Sequence, residues 1–365
     1  MNGAEPRLGD YFVSRRERGK AGLPTLSVTL DRGLVRRDSL DRKTDTTLTD
    51  EEHLRVHPGD IAYNMMRMWQ GASGLADEEA LVSPAYIVLA PKNLVDPRFA
   101  AYLFKLPEMV HRFWAYSYGL TDDRLRLYFN DFKRIPRELP PVFDQRKIAE
   151  ILSTWDAAIE TTGKLLANAE AQKRSLMQHL LTGKRRLKGF EGREWKRKSL
   201  GDVLEITYGK SPKEIAADQG AYPILGTGGE TGRSDDWLVE GPAIVIGRKG
   251  TIDKPMFVTG KFWPIDTTFF CKAKPGNNLF WAYYSVQRMR LRSFSEASGV
   301  PSLSRDTLRA IKVQLPDLDE QERIAEIVYL AELEADRVRS VLRILQMEKR
   351  ALMQQLLTGK RKVRP

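Results

Sequence analysis

The sequence predicts an α+β chain: two globular blocks set around a long antiparallel pair of helices, the whole an internal repeat of pseudo-two-fold character. Three observations carry that expectation. A ten-residue stretch occurs twice, Leu176-Met-Gln-His-Leu-Leu-Thr-Gly-Lys-Arg185 and Leu352-Met-Gln-Gln-Leu-Leu-Thr-Gly-Lys-Arg361, and the match runs backwards without a gap, so that 19 of 49 positions agree between 139–187 and 315–363. A duplicated block of this length is a statement about architecture. Apolar residues recur at three and four in both copies, the period of a helix. The segments before each copy lack that period and are cut by Gly and Pro into short strand-like runs.

The stripe of the first copy is Ile148, Leu152, Trp155, Ile159, Leu166, Ala169, Leu176 and Leu180. That of the second is Ile324, Val328, Ala331, Ala335, Val338, Leu342, Leu345, Leu352 and Leu356. So narrow a stripe suits a two-helix seam, and the other copy is the nearest partner. Pro140 and Pro316 close the segment before each helix. Asp319-x-x-Glu322 reads as a capping box. Thr182-Gly183 and Thr358-Gly359 read as helix stops, with Lys184-Arg185 and Lys360-Arg361 placed where cations favour a helix C-terminus. A phosphate-loop reading of Thr-Gly-Lys-Arg fails because the earlier glycine is missing.

The first block, 1–138, is expected to hold strands at 25–30, 61–64 and 85–89, helices at 99–105 and 108–116, and a last strand within 129–135. The first helix, 139–187, runs from about 144 to 182. After a basic connector at 184–198, Leu200-Gly-Asp202 echoes Leu8-Gly-Asp10. The second block, 188–314, is expected to hold strands at 222–225, 243–247, 256–259 and 268–272 and a helix at 280–293; the second helix occupies 315–365. The order is block, helix, block, helix. An antiparallel helix pair then acts as a spacer between the blocks, like a fused homodimer.

With 365 residues and 42% hydrophobic content the chain has room for two cores. Its net charge of +11, from 59 basic against 48 acidic residues, points to a polyanionic partner. The one cysteine, Cys271 in the apolar run Thr268-Phe-Phe-Cys271, excludes an internal disulfide framework. With no signal peptide and no run of 18 apolar residues, a soluble cytoplasmic protein is expected. His53, His57, His111 and His179 form no metal-ligand spacing with Cys271, no Walker loop is present, and Leu139-Pro-Pro-Val142 lacks the flanks of an adenine methyltransferase motif.

Two divergent blocks, each followed by Leu-Pro, Gln145 or Gln321, Ile-Ala-Glu-Ile and then Leu-Met-Gln-x-Leu-Leu-Thr-Gly-Lys, resemble the specificity subunit of Type I restriction–modification systems. The resemblance covers essentially the whole chain. Asp60-Ile-Ala-Tyr-Asn64, Val82-Ser-Pro84 and Val245-Ile-Gly-Arg-Lys-Gly250 extend it into the blocks, and Gly163 departs from it where the second copy has Arg339. It implies that each block is a target-recognition domain reading one half of a bipartite double-stranded DNA site. The helices are then the conserved regions that space the domains and dock two methyltransferase subunits, which restriction subunits can join. S-adenosylmethionine and adenine methylation belong to the methyltransferase subunits, so this chain needs no cofactor and has no catalytic residue. The rival from another class is a non-catalytic coiled-coil adaptor that reads no sequence.

Base reading then falls to loops. Arg248-Lys249 lies in a glycine-flanked turn directly after a strand, and arginine paired to guanine is the commonest specific contact. The bland reading is a solvated turn. Arg67-Met-Trp-Gln70 occupies the matching place in the first block; Gln70 suits adenine, and Trp69 is either a contact or core. Tyr116, Tyr118, Arg124 and Arg126 form a polar cluster before the last strand, with Ser298, Ser302 and Arg305 in the parallel position, and Arg233 lies in a glycine-rich loop. Gln178 and Gln354 match on the outward face of the helices and are expected to bind the partner subunits.

Overall fold

The computed structural model describes residues 5–40, 47–121, 124–295, 297 and 299–363. It divides into two compact units, Met1–Thr161 with Leu342–Pro365, and Thr162–Val341. The long helices are Val142–Leu180 and Leu318–Leu357, and each is shared between the two units. In the first unit, Ile148 and Leu152 share a core with Leu356 and Leu357, and Asp156 pairs with Lys349. The numbering climbs on one helix as it falls on the other, so the halves are antiparallel. In the second unit Glu170 meets Arg339 at 2.8 Å and Lys173 pairs with Glu332, again antiparallel.

The first helix starts two residues before the expected position, because the carbonyl of Pro141 already accepts from the Gln145 amide at 3.0 Å. The second starts at Leu318, and its cap is not the expected Asp319 box. Asp317 Oδ1 accepts from the Glu320 amide at 3.1 Å, while the Glu320 side chain is drawn inward to other partners. Both helices stop as expected. Gly183 and Gly359 take φ of +70° and +73°, and Thr182 and Thr358 donate to the carbonyls of Gln178 and Gln354 at 2.6 and 2.5 Å.

The sheet of the first unit has the order Phe12–Arg15, Tyr86–Pro91, Ile61–Asn64, Ser73–Leu75, all antiparallel. Strand alternation sends its side chains to two cores. Ile61, Tyr63 and Leu89 face Phe99, Phe104, Phe113 and Phe132, while Ala62 and Val88 face Leu26, Val56 and Val82. Helices Pro97–Leu103 and Pro107–Ala115 fall near the expected positions. The expected strand within 129–135 is instead a helical turn, Phe129–Phe132, which stacks the two rings at 6.2 Å and drops Phe132 among Phe12, Phe104 and Phe113.

The second unit repeats that sheet order with Leu204–Tyr208, Thr268–Ala273, Ala243–Gly247 and Met256–Val258. Ile206, Ile244, Ile246 and Cys271 pack on Trp281 and on Met177, Leu180, Ile324 and Val328 of the long helices; Ala243 and Val245 face Leu225, Val239 and Phe262. A second sheet of this unit, Gly229–Ser234, Tyr222–Gly226, Lys261–Pro264 and Val239–Glu240, covers that other face. Burial pushes the Cys271 thiol well up, which leaves it inert. The expected helix at 280–293 ends at Arg288, and Leu291–Phe294 forms a separate short turn.

The units repeat their chemistry residue for residue. Gln145 and Gln321, both buried, accept from Asp96 N and Asn278 N at 2.8 Å and donate to Pro140 O and Pro316 O at 2.7 and 3.0 Å. Tyr102 donates to Asp156 at 2.6 Å beside Lys349; Tyr284 donates to Glu332 at 2.8 Å beside Lys173. Burial, with the carboxylate second, pushes both phenols up, so both remain donors. Lys92 and Lys274 each donate to the glycine carbonyl of a Leu-Gly-Asp turn at 2.7 Å.

Candidate nucleic-acid interface

In the first unit the chain leaves the central strand at Asn64 and turns through Met68–Gln70, closed by Gly71 at φ +85°. The turn is held from beneath. Lys105 Nζ donates to Gly71 O at 2.8 Å and Ser73 O at 2.9 Å, and burial lowers its pKa. Arg67 and Gln70 are exposed; Trp69 is half-buried, its indole donating to Met66 O at 2.9 Å. A second segment is stitched to this turn. Leu127 N donates to Met65 O at 2.9 Å, and Tyr118 and Arg126 exchange backbone bonds of 3.0 and 2.8 Å. Tyr118 is 61% exposed and Arg124 and Arg126 face solvent, whereas Tyr116 turns inward against the aromatic core.

The second unit builds the same tip with other residues. After Ala243–Gly247 come Arg248 and Lys249, with Gly250 at φ +81°. Leu303 N donates to Arg248 O at 2.9 Å and Gly250 N to Pro301 O at 2.8 Å, which sets Lys249 opposite Ser302. Leu127 and Leu303, 176 positions apart like the helices, are the buried pins of the two tips. Arg305 opens the short helix Arg305–Ala310. The structure therefore gathers Arg248, Lys249, Ser302 and Arg305; Ser298 lies outside the described residues.

Two outcomes were not legible in the sequence. Tyr208, at the end of its strand and 39% exposed, carries the guanidinium carbons of Arg248 and Arg305 at 5.3 and 5.0 Å from its ring centroid. Each of these residues belongs to a different segment, so no local pattern joins them. Arg233, expected as a DNA contact in a loop, instead lies in strand Gly229–Ser234 and spends its guanidinium on Gly220 O at 2.7 Å, Ala221 O at 2.9 Å and Glu230 at 3.1 Å. That is a structural tie between neighbouring segments.

Gln178 and Gln354 are both exposed on the long helices. Elsewhere along the same helices each unit has a groove of matching lining. One, of 780 Å³, includes Ile151, Leu352, Leu356 and Arg361; the other, of 500 Å³, includes Ile327, Leu176, Leu180 and Arg185. The basic connector is folded: Arg186 grips Glu320 at 2.9 and 2.8 Å, Trp195 donates to the same carboxylate at 2.8 Å, and Lys196–Ser199 pairs with Lys312–Leu315. Among the described residues no helix is long and apolar enough to cross a membrane, and no cluster of His, Cys, Asp or Glu is arranged to hold a metal ion.

Two repeated α/β units with paired long helices and loop-built tips define a class, and comparison with known proteins gives it a family. A model of the type I restriction modification DNA specificity domain matches residues 38–171 and 192–334. The chain belongs to that family, a non-catalytic one that recognises DNA targets. It is 22% identical over 351 residues to the MjaVIII type I specificity subunit of Methanocaldococcus jannaschii, covering 82% of this chain and 80% of that one. It is 26% identical over 141 residues to the EcoprrI specificity subunit of Escherichia coli, 37% of this chain and 35% of the relative. The type I restriction-modification S subunit of M. genitalium has the same fold, with a TM-score of 0.66 at 18% identity over 98% of this chain and 97% of that one. A chain from a structure of the type I R-M system gives 0.58 at 15% identity, covering 97% of each.

Proposed function

We propose that this chain reads a bipartite site on double-stranded DNA, one half-site per block, and docks two copies of an adenine methyltransferase subunit that carry the S-adenosylmethionine. The recognition domains are 1–138 and 188–314, the conserved helices 139–187 and 315–365, and the setting is the cytoplasm, where restriction subunits can join the complex. The observation that carries the reading is the repeated tip. One scaffold, pinned by Leu127 in the first unit and Leu303 in the second, presents Arg67, Trp69, Gln70, Tyr118, Arg124 and Arg126 in one block and Arg248, Lys249, Ser302 and Arg305 in the other. A shared frame with unlike exposed side chains is what two different half-sites require. Tyr116 supports its tip from within.

The helices supply the repeated partner surface. Gln178 and Gln354, together with two grooves of matching lining on the same helices, offer one partner the same footprint twice. Their length sets the spacing between half-sites. The test is a map of methylated adenines in cells carrying the whole system, with binding of the purified complex measured across salt. A two-part motif, and affinity for it that falls steeply as salt rises, are the expected results. A complex that assembles yet binds every duplex alike would return the chain to the adaptor reading.

A further inference from the structure

We propose that the second block selects a guanine in its half-site, with Arg248 as the reader, Tyr208 as the residue that positions it, and Arg305 on a neighbouring phosphate. This rests on the DNA-reading function above and names what one of its two sites takes. Tyr208 pairs in register with Phe269, and its ring lies 5.1 Å from the ring of that fully buried residue, so the platform is anchored from below and open above. Two guanidinium groups sit on it, from opposite sides of a hydrogen-bonded loop pair.

Two cations on one ring repel each other unless an acceptor or anion lies between or beside them. Among the described residues no carboxylate pairs with either, in contrast to Arg186 on Glu320 or Arg193 on Asp317. Arg248 gives one bond, Nη1 to Asp266 O at 3.2 Å, and Arg305 Nε is buried without a partner. The remaining donors await acceptors. Guanine offers two acceptors side by side, O6 and N7; adenine offers an acceptor beside a donor, which an all-donor fork cannot match. Stacking fixes the plane of that fork before binding, so less freedom is lost on contact. Arg305, with Nε already enclosed, suits a single phosphate oxygen.

The experiment maps the methylated motif of the intact system carrying Tyr208→Leu, Tyr208→Phe or Arg248→Lys, with the melting temperature of each chain as a check on folding. The wild-type half-site that responds should contain guanine. Arg248→Lys keeps the charge and loses the fork, and Tyr208→Leu loses the platform; each should lower selection for that guanine by about tenfold or more, with the other half-site unchanged. Tyr208→Phe keeps the ring and should keep the selection. If Arg248→Lys or Tyr208→Leu weakens all sequences equally and leaves guanine selected, Arg248 holds phosphate and the proposal is overturned. Loss of selection in Tyr208→Phe would also overturn it, since the hydroxyl rather than the ring would then matter. A wild-type map without any recurrent motif would instead sink the function proposed above, and this inference with it.

Discussion

Gln145 and Gln321 hold one position of the repeat and perform one task. Each amide is buried and joins the first turn of a long helix to the cap of a short one, at Asp96 in the first unit and Asn278 in the second, and Gln145 donates a further bond to Leu94 O at 3.1 Å. Replacing Gln321 with Ala takes a partner from one backbone amide and one carbonyl, and replacing Gln145 from one amide and two carbonyls, at about 1–3 kcal/mol for each group left buried and unsatisfied. Gln145→Ala and Gln321→Ala should therefore both lower the denaturant midpoint, the first by somewhat more. A loss confined to one of them would mean that the two contacts, though alike in geometry, differ in weight. Lys173 and Lys349 were legible as a matched pair but not as to purpose. Their identity follows from the Asp156 and Glu332 carboxylates they meet on the facing helix. A cross-helix partner cannot be read from one helix alone.

At the scale of elements, the sequence marked most of what is periodic and missed what is paired. The long helices, the two helices of the first block and the central strands Ile61–Asn64 and Ala243–Gly247 announced themselves by period and punctuation. Short strands such as Ser73-Gly-Leu75 and Lys261-Phe-Trp-Pro264 did not, because a glycine or a proline stands inside each and neither forms an apolar run like Ile61-Ala-Tyr63. The connector at 184–198 reads in the sequence only as a basic stretch, with no sign of the carboxylate it meets. Arg186 is not solvated but closes on Glu320, which is 1% exposed. Removing the guanidinium leaves a buried carboxylate with the Trp195 indole alone, and breaking a buried pair in this way costs about 3–5 kcal/mol. Arg186→Ala should destabilise the second unit by that order, seen as an earlier unfolding transition. Arg186→Ala with Glu320→Gln should recover much of it. If the double variant is no more stable than the single, the carboxylate was never the source of the cost.

For the whole molecule, the repeat makes a stronger statement than resemblance between halves. The first unit takes Lys349, Leu352, Met353, Leu356 and Leu357 from the second helix, and Val363 from just beyond it. The residues 176 positions earlier are Lys173, Leu176, Met177, Leu180, Leu181 and Leu187, identical in five cases and conservative in the sixth. A fragment of residues 1–187 thus carries both the block that needs this helix end and a helix end that satisfies it. One copy cannot use its own, because the first helix is a single unbroken element of 39 residues whose second half belongs to the other unit. Alone, the fragment would expose Leu-lined core surface worth about 1.5–3 kcal/mol for each large side chain. Two copies can exchange ends, each closing the other. The fragment should therefore sediment as a dimer. Lys173→Glu should break that dimer by setting a carboxylate against Asp156, and Asp156→Lys in the same chain should restore it. With the methyltransferase subunits present, the dimer should direct methylation to a site whose two halves are both the half-site of the first block, in inverted order. A fragment that stays monomeric and fully folded would show that the first block closes without a helix end, and the exchange argument would fail.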